Sequence, residues 1–365
     1  MQLDFFPSRT LTLYLARLFI TRTVGVLLML VLILQMLDLL SESGKILEYQ
    51  GNGQPQLWTY VTLRAPQLIA RFLPYSVLLA TLITFVALNQ NSEVIAMKAA
   101  GLSAHQVLAP LFLTAMVVAG VSFVFNERVV TRSSATLKAW QGADYGPLPK
   151  DSGVRANVYV RDGANILMAA SVSGQGRAMV LSGVSWYRRD GQGMVVEQVR
   201  GPRATFAGNG WRLDAPESFD VKTTTTRRPG PLVIAPDVEP GQIAISKVDA
   251  DAQNLFELSD SIAELRASGR RTTELEGKWW HKLSGPLSAL LMPLLGAVAA
   301  FGLARSGQVV IRAIIGMALG FTYFVVDNAA LAMGNFGGYP PLIAAWAPFV
   351  LFALVGETVL IRTEE

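Results

Sequence analysis

Six stretches of this chain reach or approach the roughly 18–20 apolar residues needed to cross about 30 Å of hydrocarbon. They are Val24–Leu40, Leu68–Leu88, Val107–Phe125, Leu283–Ala304, Ala313–Met333 and Pro341–Ile361. No other feature restricts the fold so tightly, because inside a bilayer a helix must pair its backbone groups within itself. The third and fourth stretches hold no ionisable side chain. Before the first lies Leu11–Ile20, apolar and periodic, with Arg17 and then Arg22, so one long helix starting at the inner surface is expected. A cleaved signal peptide is the competing reading. Ser41-Glu42-Ser43-Gly44-Lys45 lacks the small-residue cleavage chemistry, and that reading is rejected.

Composition agrees: 51% of residues are hydrophobic and 16% charged, against about a quarter charged in an average soluble domain. The net charge of +4 could point to nucleic acid, but mixed signs and the apolar bulk make membrane topology the better explanation, so no nucleic-acid partner is expected. There is no Cys, which removes disulfides and thiolate metal sites, and His105 and His281 are the only imidazoles. No metal site is expected.

Orientation follows from basic residues beside short loops. With the N-terminus inside, the inner segments hold Arg9, Arg17, Arg22, Lys98, Arg305, Arg312 and Arg362. The short outer loops hold Lys45 and Arg64, and none between Gly334 and Tyr339. Both termini are expected in the cytoplasm and the region around 130–275 outside.

From Ala143 the sequence becomes turn-rich and alternating. Val154–Val160 alternates apolar with polar, the period of a half-buried strand. Gly208-Asn209-Gly210, between Thr205-Phe206-Ala207 and Trp211-Arg212-Leu213, reads as a hairpin turn. Further strands are expected at Ile166–Val172, Met179–Arg188, Met194–Arg200 and Phe219–Thr225, which together argue a sandwich or jelly roll. A helix over 254–268 closes the region, with Asn254 as cap, Glu257 three residues on, a Leu255, Leu258, Ile262, Leu265 stripe, and Gly269 as stop. Trp279-Trp280-His281-Lys282 marks re-entry to the membrane. The expected fold is an α-helical membrane protein, six spans in a 3+3 layout, with an inserted all-β jellyroll-like domain. Its parts are an N-terminal membrane half over 1–130, with a short helix at about 90–104, the β-domain over 131–277, and a C-terminal membrane half over 278–365.

Asn91-Ser92-Glu93-Val94-Ile95-Ala96-Met97-Lys98-Ala99-Ala100-Gly101-Leu102-Ser103 fills the turn between spans two and three. Together with Lys278-Trp279-Trp280-His281-Lys282-Leu283-Ser284-Gly285-Pro286-Leu287 and Ala345-Trp346-Ala347-Pro348, it resembles the lipopolysaccharide-export permeases of the LptF/LptG family, and the last element leans to the LptG-like side. The resemblance covers essentially the whole chain. It implies a homologous second permease (LptF-like) and a cytoplasmic ABC ATPase dimer (LptB-like) bound at the short helix. It also implies a periplasmic bridge and a membrane-anchored jellyroll protein (LptA/LptC-like), and a β-domain that passes lipopolysaccharide onward from the inner membrane. ATP and Mg would sit on the partner, with no cofactor and no catalysis on this chain.

Three sets of residues carry that reading. Glu93, Lys98, Ala100 and Gly101 would couple to the ATPase, the acid suiting the positive end of a helix and the small residues close docking. Lys45, Arg64, Arg71, Arg128, Arg132, Lys278 and Lys282 would form a cationic rim for acidic or phosphorylated sugars, the alternative being ordinary snorkelling. Arg128 and Arg132 match basic residues at the end of the family's third span. Asp38 and Glu42 stand where relatives carry cations. Asp38 and Asp327 are the intramembrane or gate polar groups; an ionised carboxylate near mid-bilayer costs on the order of 2.5–3.5 kcal/mol, so Asp327 should face the bundle, near Asn328. Gly316 and Gly320 form a small-xxx-small pair.

Other classes fit less well. No Gly-x-x-x-x-Gly-Lys-Ser/Thr loop exists, Gly277-Lys278 being followed by Trp279. A lipid or glycosyl transferase would want clustered carboxylates or a nucleophile with its base, and Asp144, Asp151 and Asp162 are scattered with no His beside them. A mechanotransmission-type ABC permease would normally have four spans. A non-transporting scaffold would dock partners without lipid-stimulated ATP turnover.

Overall fold

The computed structural model describes residues 7–142, 144–148, 155–174, 176–240, 243, 249–267, 269–301 and 309–364. The expected strand start at Val154, the change to turn-rich sequence at Ala143, Asp151, the end of the fourth apolar stretch and Arg305 lie outside these residues, as does the side chain of Arg312. In chain order the helices are α1 (Arg9–Glu48), α2 (Gln54–Gln90), α3 (Glu93–Ala99), α4 (Ala104–Phe125) and, after a π turn at Asn126–Val130, α5 (Thr131–Gly142). Eight strands among the described residues come next: β1 (Arg155–Asp162), β2 (Asn165–Ser173), β3 (Val180–Arg189), β4 (Val195–Phe206), β5 (Trp211–Asp214), β6 (Glu217–Asp220), β7 (Thr225–Arg227) and β8 (Leu232–Ile234). Helices α6 (Leu255–Ala267), α7 (Thr273–Phe301), α8 (Val309–Asn335) and α9 (Pro341–Glu364) complete the order. The chain is thus mainly helical with an inserted antiparallel sheet, the fold class its sequence predicts.

Among the described residues, five helical stretches are long and apolar enough to cross a membrane: Arg9–Glu48, Gln54–Gln90, Ala104–Gly142, Ile314–Asn335 and Pro341–Arg362. Most of the fourth apolar stretch of the sequence forms the helix α7, which reaches the edge of the described residues at Phe301. At 1.5 Å per residue, the 40 residues of α1 extend roughly 60 Å, about twice the hydrocarbon thickness. The apolar stretch is therefore shorter than the helix that contains it.

The chain divides into two compact units. The first comprises Met1–Leu37, Ala65–Arg128 and Gly269–Glu365. Its core joins Leu15 and Phe19 of α1 to Val77, Leu82 and Phe85 of α2, Leu108 and Leu111 of α4, Met292 and Leu295 of α7, Tyr323 of α8 and Phe352 of α9. Lipid tails are as apolar as Leu, so between membrane helices close packing must replace the hydrophobic drive. Small residues allow it. A Cβ on Gly320 would lie 2.1 Å from Leu78 Cδ2, and one on Gly296 would lie 2.6 Å from Thr81 Cγ2. Tyr75 stacks on Phe324 at 3.9 Å between ring centroids.

The second unit comprises Asp38–Arg64 and Val129–Ser268. Its sheet has eight strands among the described residues, with β1 to β4 each antiparallel to the next. The long β4 then serves two partners along its other edge: Glu197–Arg200 pairs with β6, and Arg203–Phe206 pairs with β5. The change of partner falls at Gly201, where a Cβ would lie 2.6 Å from Leu213 Cδ1 and 2.8 Å from the Asp214 carbonyl oxygen. The hairpin through Gly208-Asn209-Gly210 pairs Phe206 with Trp211. Leu181, Val184, Val199, Ala204, Trp211 and Leu213 are at most 1% exposed and form one apolar core with residues of the other strands. Trp211 Nε1 is satisfied by donating to the Val238 carbonyl at 2.9 Å.

One expected strand is corrected. Phe219–Thr225 is two short strands, β6 and β7, joined by a turn. Asp220 Oδ1 accepts from the amides of Thr223 at 3.0 Å and Lys222 at 2.9 Å, an Asx turn that ends the strand and holds the carboxyl below the usual range. Strand β8, which pairs with β5, carries too short an apolar run to be read from pattern alone.

A second core in this unit is helical. Ile46 of α1, Tyr60 of α2, Leu137 and Trp140 of α5, and Tyr145 are all at most 4% exposed and packed together. Asn52 Nδ2 donates to the carbonyls of Ile46 and Tyr145, and Trp140 Nε1 donates to that of Gly146. Tyr145 donates to Glu42 Oε2 at 2.6 Å; burial first, then this bond, pushes its hydroxyl well above the ordinary value. Lys138 of α5 donates to Asp249 at 2.6 Å. Helix α6 starts with a reciprocal cap: Asn254 Oδ1 accepts from Glu257 N at 2.9 Å while Glu257 Oε2 accepts from Asn254 N at 3.0 Å.

Candidate functional site

The turn between α2 and α4 is built from strictly local signals. Val94 and Met97, three apart, bury one face of α3 in the core of the first unit at 5% and 8% exposure. The helix cannot continue past Ala100, because Gly101 takes φ +86°. The Gly101 amide donates to Lys98 O and the Leu102 amide to Met97 O, the paired bonds of a Schellman stop. Only two residues later Ser103 caps α4: its Oγ accepts from Gln106 N at 3.2 Å, and Gln106 Oε1 accepts from Ser103 N at 3.0 Å. A helix stop, a short link and a capping box leave the segment little freedom. Its outward face presents Lys98, Ala100 and Gly101, all exposed, together with Ile95 at 65% exposure. Glu93 does not stand alone at the start of α3. Tyr14 of α1 donates its hydroxyl to the carboxylate at 3.0 and 3.3 Å. Sequence reading found Glu93, Lys98, Ala100 and Gly101 but missed Tyr14 and the exposed Ile95.

The seven basic residues of the expected rim fall into different environments. In the second unit, Arg64 forms a two-pronged bond to Asp38, Nε to Oδ2 at 3.0 Å and Nη2 to Oδ1 at 3.1 Å, and Tyr60 donates to the same carboxylate at 2.6 Å. Asp38 and Arg64, assigned to separate roles from sequence, therefore neutralise one another. Lys45 pairs with Glu42 at 3.0 Å but stays 66% exposed beside a hollow of about 730 Å³ also bordered by Glu48 and Asp144. Arg132 is exposed. In the first unit Lys278 pairs with Glu274 at 3.1 Å, one turn earlier on α7, and Lys282 lies 3.5 Å from Glu127. Arg71 and Arg128 are exposed, and neither they nor Arg132 forms an ion pair with a described residue. The carboxylates that neutralise the paired cations were not all legible, and sequence reading passed over both Glu274 and Glu127.

Asp327 is 6% exposed and faces the interior of its unit, with His281 Nε2 at 3.8 Å. Its neighbour Asn328 turns back to donate to the Phe324 carbonyl at 2.7 Å rather than to Asp327. The other imidazole, His105, meets Glu357 at 2.7 Å. Asp162 accepts from Trp186 Nε1 at 3.0 Å and from the Asp237 amide at 3.2 Å, so it is a structural group of the sheet. Among the described residues no cluster of three or more His, Asp or Glu side chains has the geometry to hold a metal ion.

Comparison with known proteins agrees with this architecture. A family model described as lipopolysaccharide export system permease LptF/LptG matches residues 13–362. The lipopolysaccharide export system permease protein LptG of Escherichia coli (strain K12) is 25% identical over 367 residues, covering 98% of this chain and 99% of the relative. The LptG protein of Haemophilus influenzae (strain ATCC 51907 / DSM 11121 / KW20 / Rd) is 22% identical over 321 residues, 84% of this chain and 86% of the relative. The match spans both groups of apolar helices and the sheet between them, and the chain therefore belongs to the lipopolysaccharide export system permease LptF/LptG family.

Proposed function

We propose that this chain is one permease subunit of an ATP-driven exporter that lifts lipopolysaccharide from the outer leaflet of the inner membrane and hands it to a periplasmic bridge. The observation that carries the reading is the family match over residues 13–362, which takes in the apolar helices, the turn at Glu93 and the sheet together. Both termini lie in the cytoplasm and the sheet in the periplasm, as the distribution of basic residues favours. A second, homologous permease completes the cavity. A cytoplasmic ATPase dimer binds ATP and Mg and docks at α3; this chain hydrolyses nothing and binds no cofactor. The tightly specified turn suits that role, because a coupling element must transmit a push without bending, and Ile95, Lys98, Ala100 and Gly101 supply an exposed, small-featured contact.

Glu93 contributes in a particular way: with Tyr14 and Asn91 already donating to its carboxylate, it presents the remaining lone pairs to an arginine of the ATPase. Arg71, Arg128 and Arg132 are the cations most available to phosphate, since the other four each carry a carboxylate. Asp327 gives the helix bundle a polar point near the lateral opening. The sheet provides the onward route for the acyl chains, and a membrane-anchored jellyroll protein and a soluble bridge continue it.

The test is lipid-stimulated ATP turnover by the reconstituted complex. An exporter raises its turnover when lipopolysaccharide is present, and replacing Arg128 and Arg132 together by Glu reduces both that stimulation and crosslinking to the glycolipid. ATP turnover indifferent to the glycolipid would instead identify a scaffold.

A further inference from the structure

We infer that Glu127 is a displaceable counter-ion for Lys282. It holds the lysine's charge in reserve, yields it to a phosphate of the passing amphiphile, and recaptures it as the lipid leaves. The inference rests on the reading of the basic residues as phosphate contacts and adds to it a residue that limits how tightly the substrate is held.

The geometry sets this pair apart from the other paired cations. Lys282 and Glu127 side chains are only 16% and 14% exposed, yet their N···O distance is 3.5 Å. A charge-assisted hydrogen bond closes to about 2.7–2.9 Å when nothing opposes it. The pair is therefore largely shielded from water and loose at once. Lys45 and Lys278 are 66% and 39% exposed, and pairs so wet hold little energy. Arg64 is the opposite extreme, pinned by two bonds to Asp38 with Tyr60 as a third donor to the same carboxylate. Only Lys282, among these four, is both shielded from water and weakly held.

The π turn explains how Glu127 comes to face Lys282. An i→i+5 turn inserts an extra residue and rotates the remainder of the helix about its axis. In Asn126–Val130 it leaves Glu127 partly enclosed and the adjacent Arg128 exposed. An anion drawn to Arg128 thus arrives next to a lysine whose present partner is a carboxylate at 3.5 Å. A phosphate carries more charge and three acceptor oxygens, so it competes well for that ammonium. Without Glu127, Lys282 would stay a largely desolvated charge lacking its carboxylate, and that state grips any anion hard. A transporter must also let go.

The experiment uses the full chain purified with its copurifying subunits, and measures binding of bis-phosphorylated lipid A and of the same lipid with both phosphates removed. The wild type should prefer the phosphorylated form; no preference would overturn the phosphate reading and this inference with it. Given that preference, Glu127→Gln should tighten binding of the phosphorylated lipid about tenfold, slow its release in a chase, and leave the dephosphorylated lipid unchanged. Adding Lys282→Gln should abolish the gain. Glu127→Asp, which keeps charge and shortens reach, should show a smaller gain of the same sign. Unchanged or weaker binding in both Glu127 variants, or an equal gain with the dephosphorylated lipid, overturns the counter-ion role while leaving the exporter reading intact.

Discussion

At Gly101 the backbone sits at φ +86°, and a Cβ there would meet no atom within 4 Å. The cost of Gly101→Ala is therefore conformational alone, about 1–2 kcal/mol. We expect the variant to insert and accumulate normally but to bind the ATPase less well, measured by the ATPase recovered with the purified chain. The same measurement separates two roles for Glu93: Glu93→Gln should lower ATPase recovery, whereas Tyr14→Phe, which removes one internal donor and leaves Asn91, should lower it less. At Tyr60 the hydroxyl satisfies Asp38 jointly with Arg64, so Tyr60→Phe should cost about 1–3 kcal/mol, read as a lower unfolding temperature in detergent. These residues differ in how far they could be read ahead. Glu93, Lys98, Ala100 and Gly101 lie close together in the chain and carry local signals for a helix start and stop. Their partners do not: Tyr14 is 79 positions from Glu93 and Glu127 is 155 from Lys282. Hydropathy and periodicity have no access to pairings of that range.

Elements were legible in proportion to how far a single period governs them. The apolar stretches stand out because a bilayer demands a long run of one character, and α6 because Asn254, Glu257 and its apolar stripe agree. Helix ends beyond the hydrocarbon were not legible, since α5 at Thr131–Gly142 mixes Thr, Ser, Arg and Lys with a few buried residues and shows its purpose only once Leu137 and Trp140 meet Tyr60 and Tyr145. The 219–225 segment was misread as one strand because its threonines favour extended structure while the decisive turn is made by Asp220. Helix packing brings a further expectation. Gly320→Ala drives a Cβ to within 2.1 Å of Leu78 Cδ2, and overpacking of this kind costs typically about 1–3 kcal/mol. Leu78→Ala in the same chain should restore part of the loss in a thermal unfolding experiment. A loss that Leu78→Ala does not relieve would show that the α2–α8 contact is not what Gly320 serves.

For the whole molecule, the decisive feature is the sequence order: apolar helices, an antiparallel sheet with its own core, and apolar helices again. Leu181, Val184, Val199 and Trp211 share one apolar core within the sheet unit, and the indole N–H groups of Trp211 and Trp186 find acceptors inside it. The chain contains no Cys, so single cysteines can be placed without removing native ones. Tyr159→Cys, at a position 51% exposed on β1, should react with a membrane-impermeant thiol reagent added from the periplasmic side and not from the cytoplasmic side. The central claim, export of lipopolysaccharide from the inner membrane, is tested most directly by depleting this chain in its own cell and tracking newly made lipopolysaccharide. The account predicts that the glycolipid stays in the inner-membrane fraction and reaches the surface again when the chain is restored. Undiminished arrival of new lipopolysaccharide at the cell surface after depletion would contradict it.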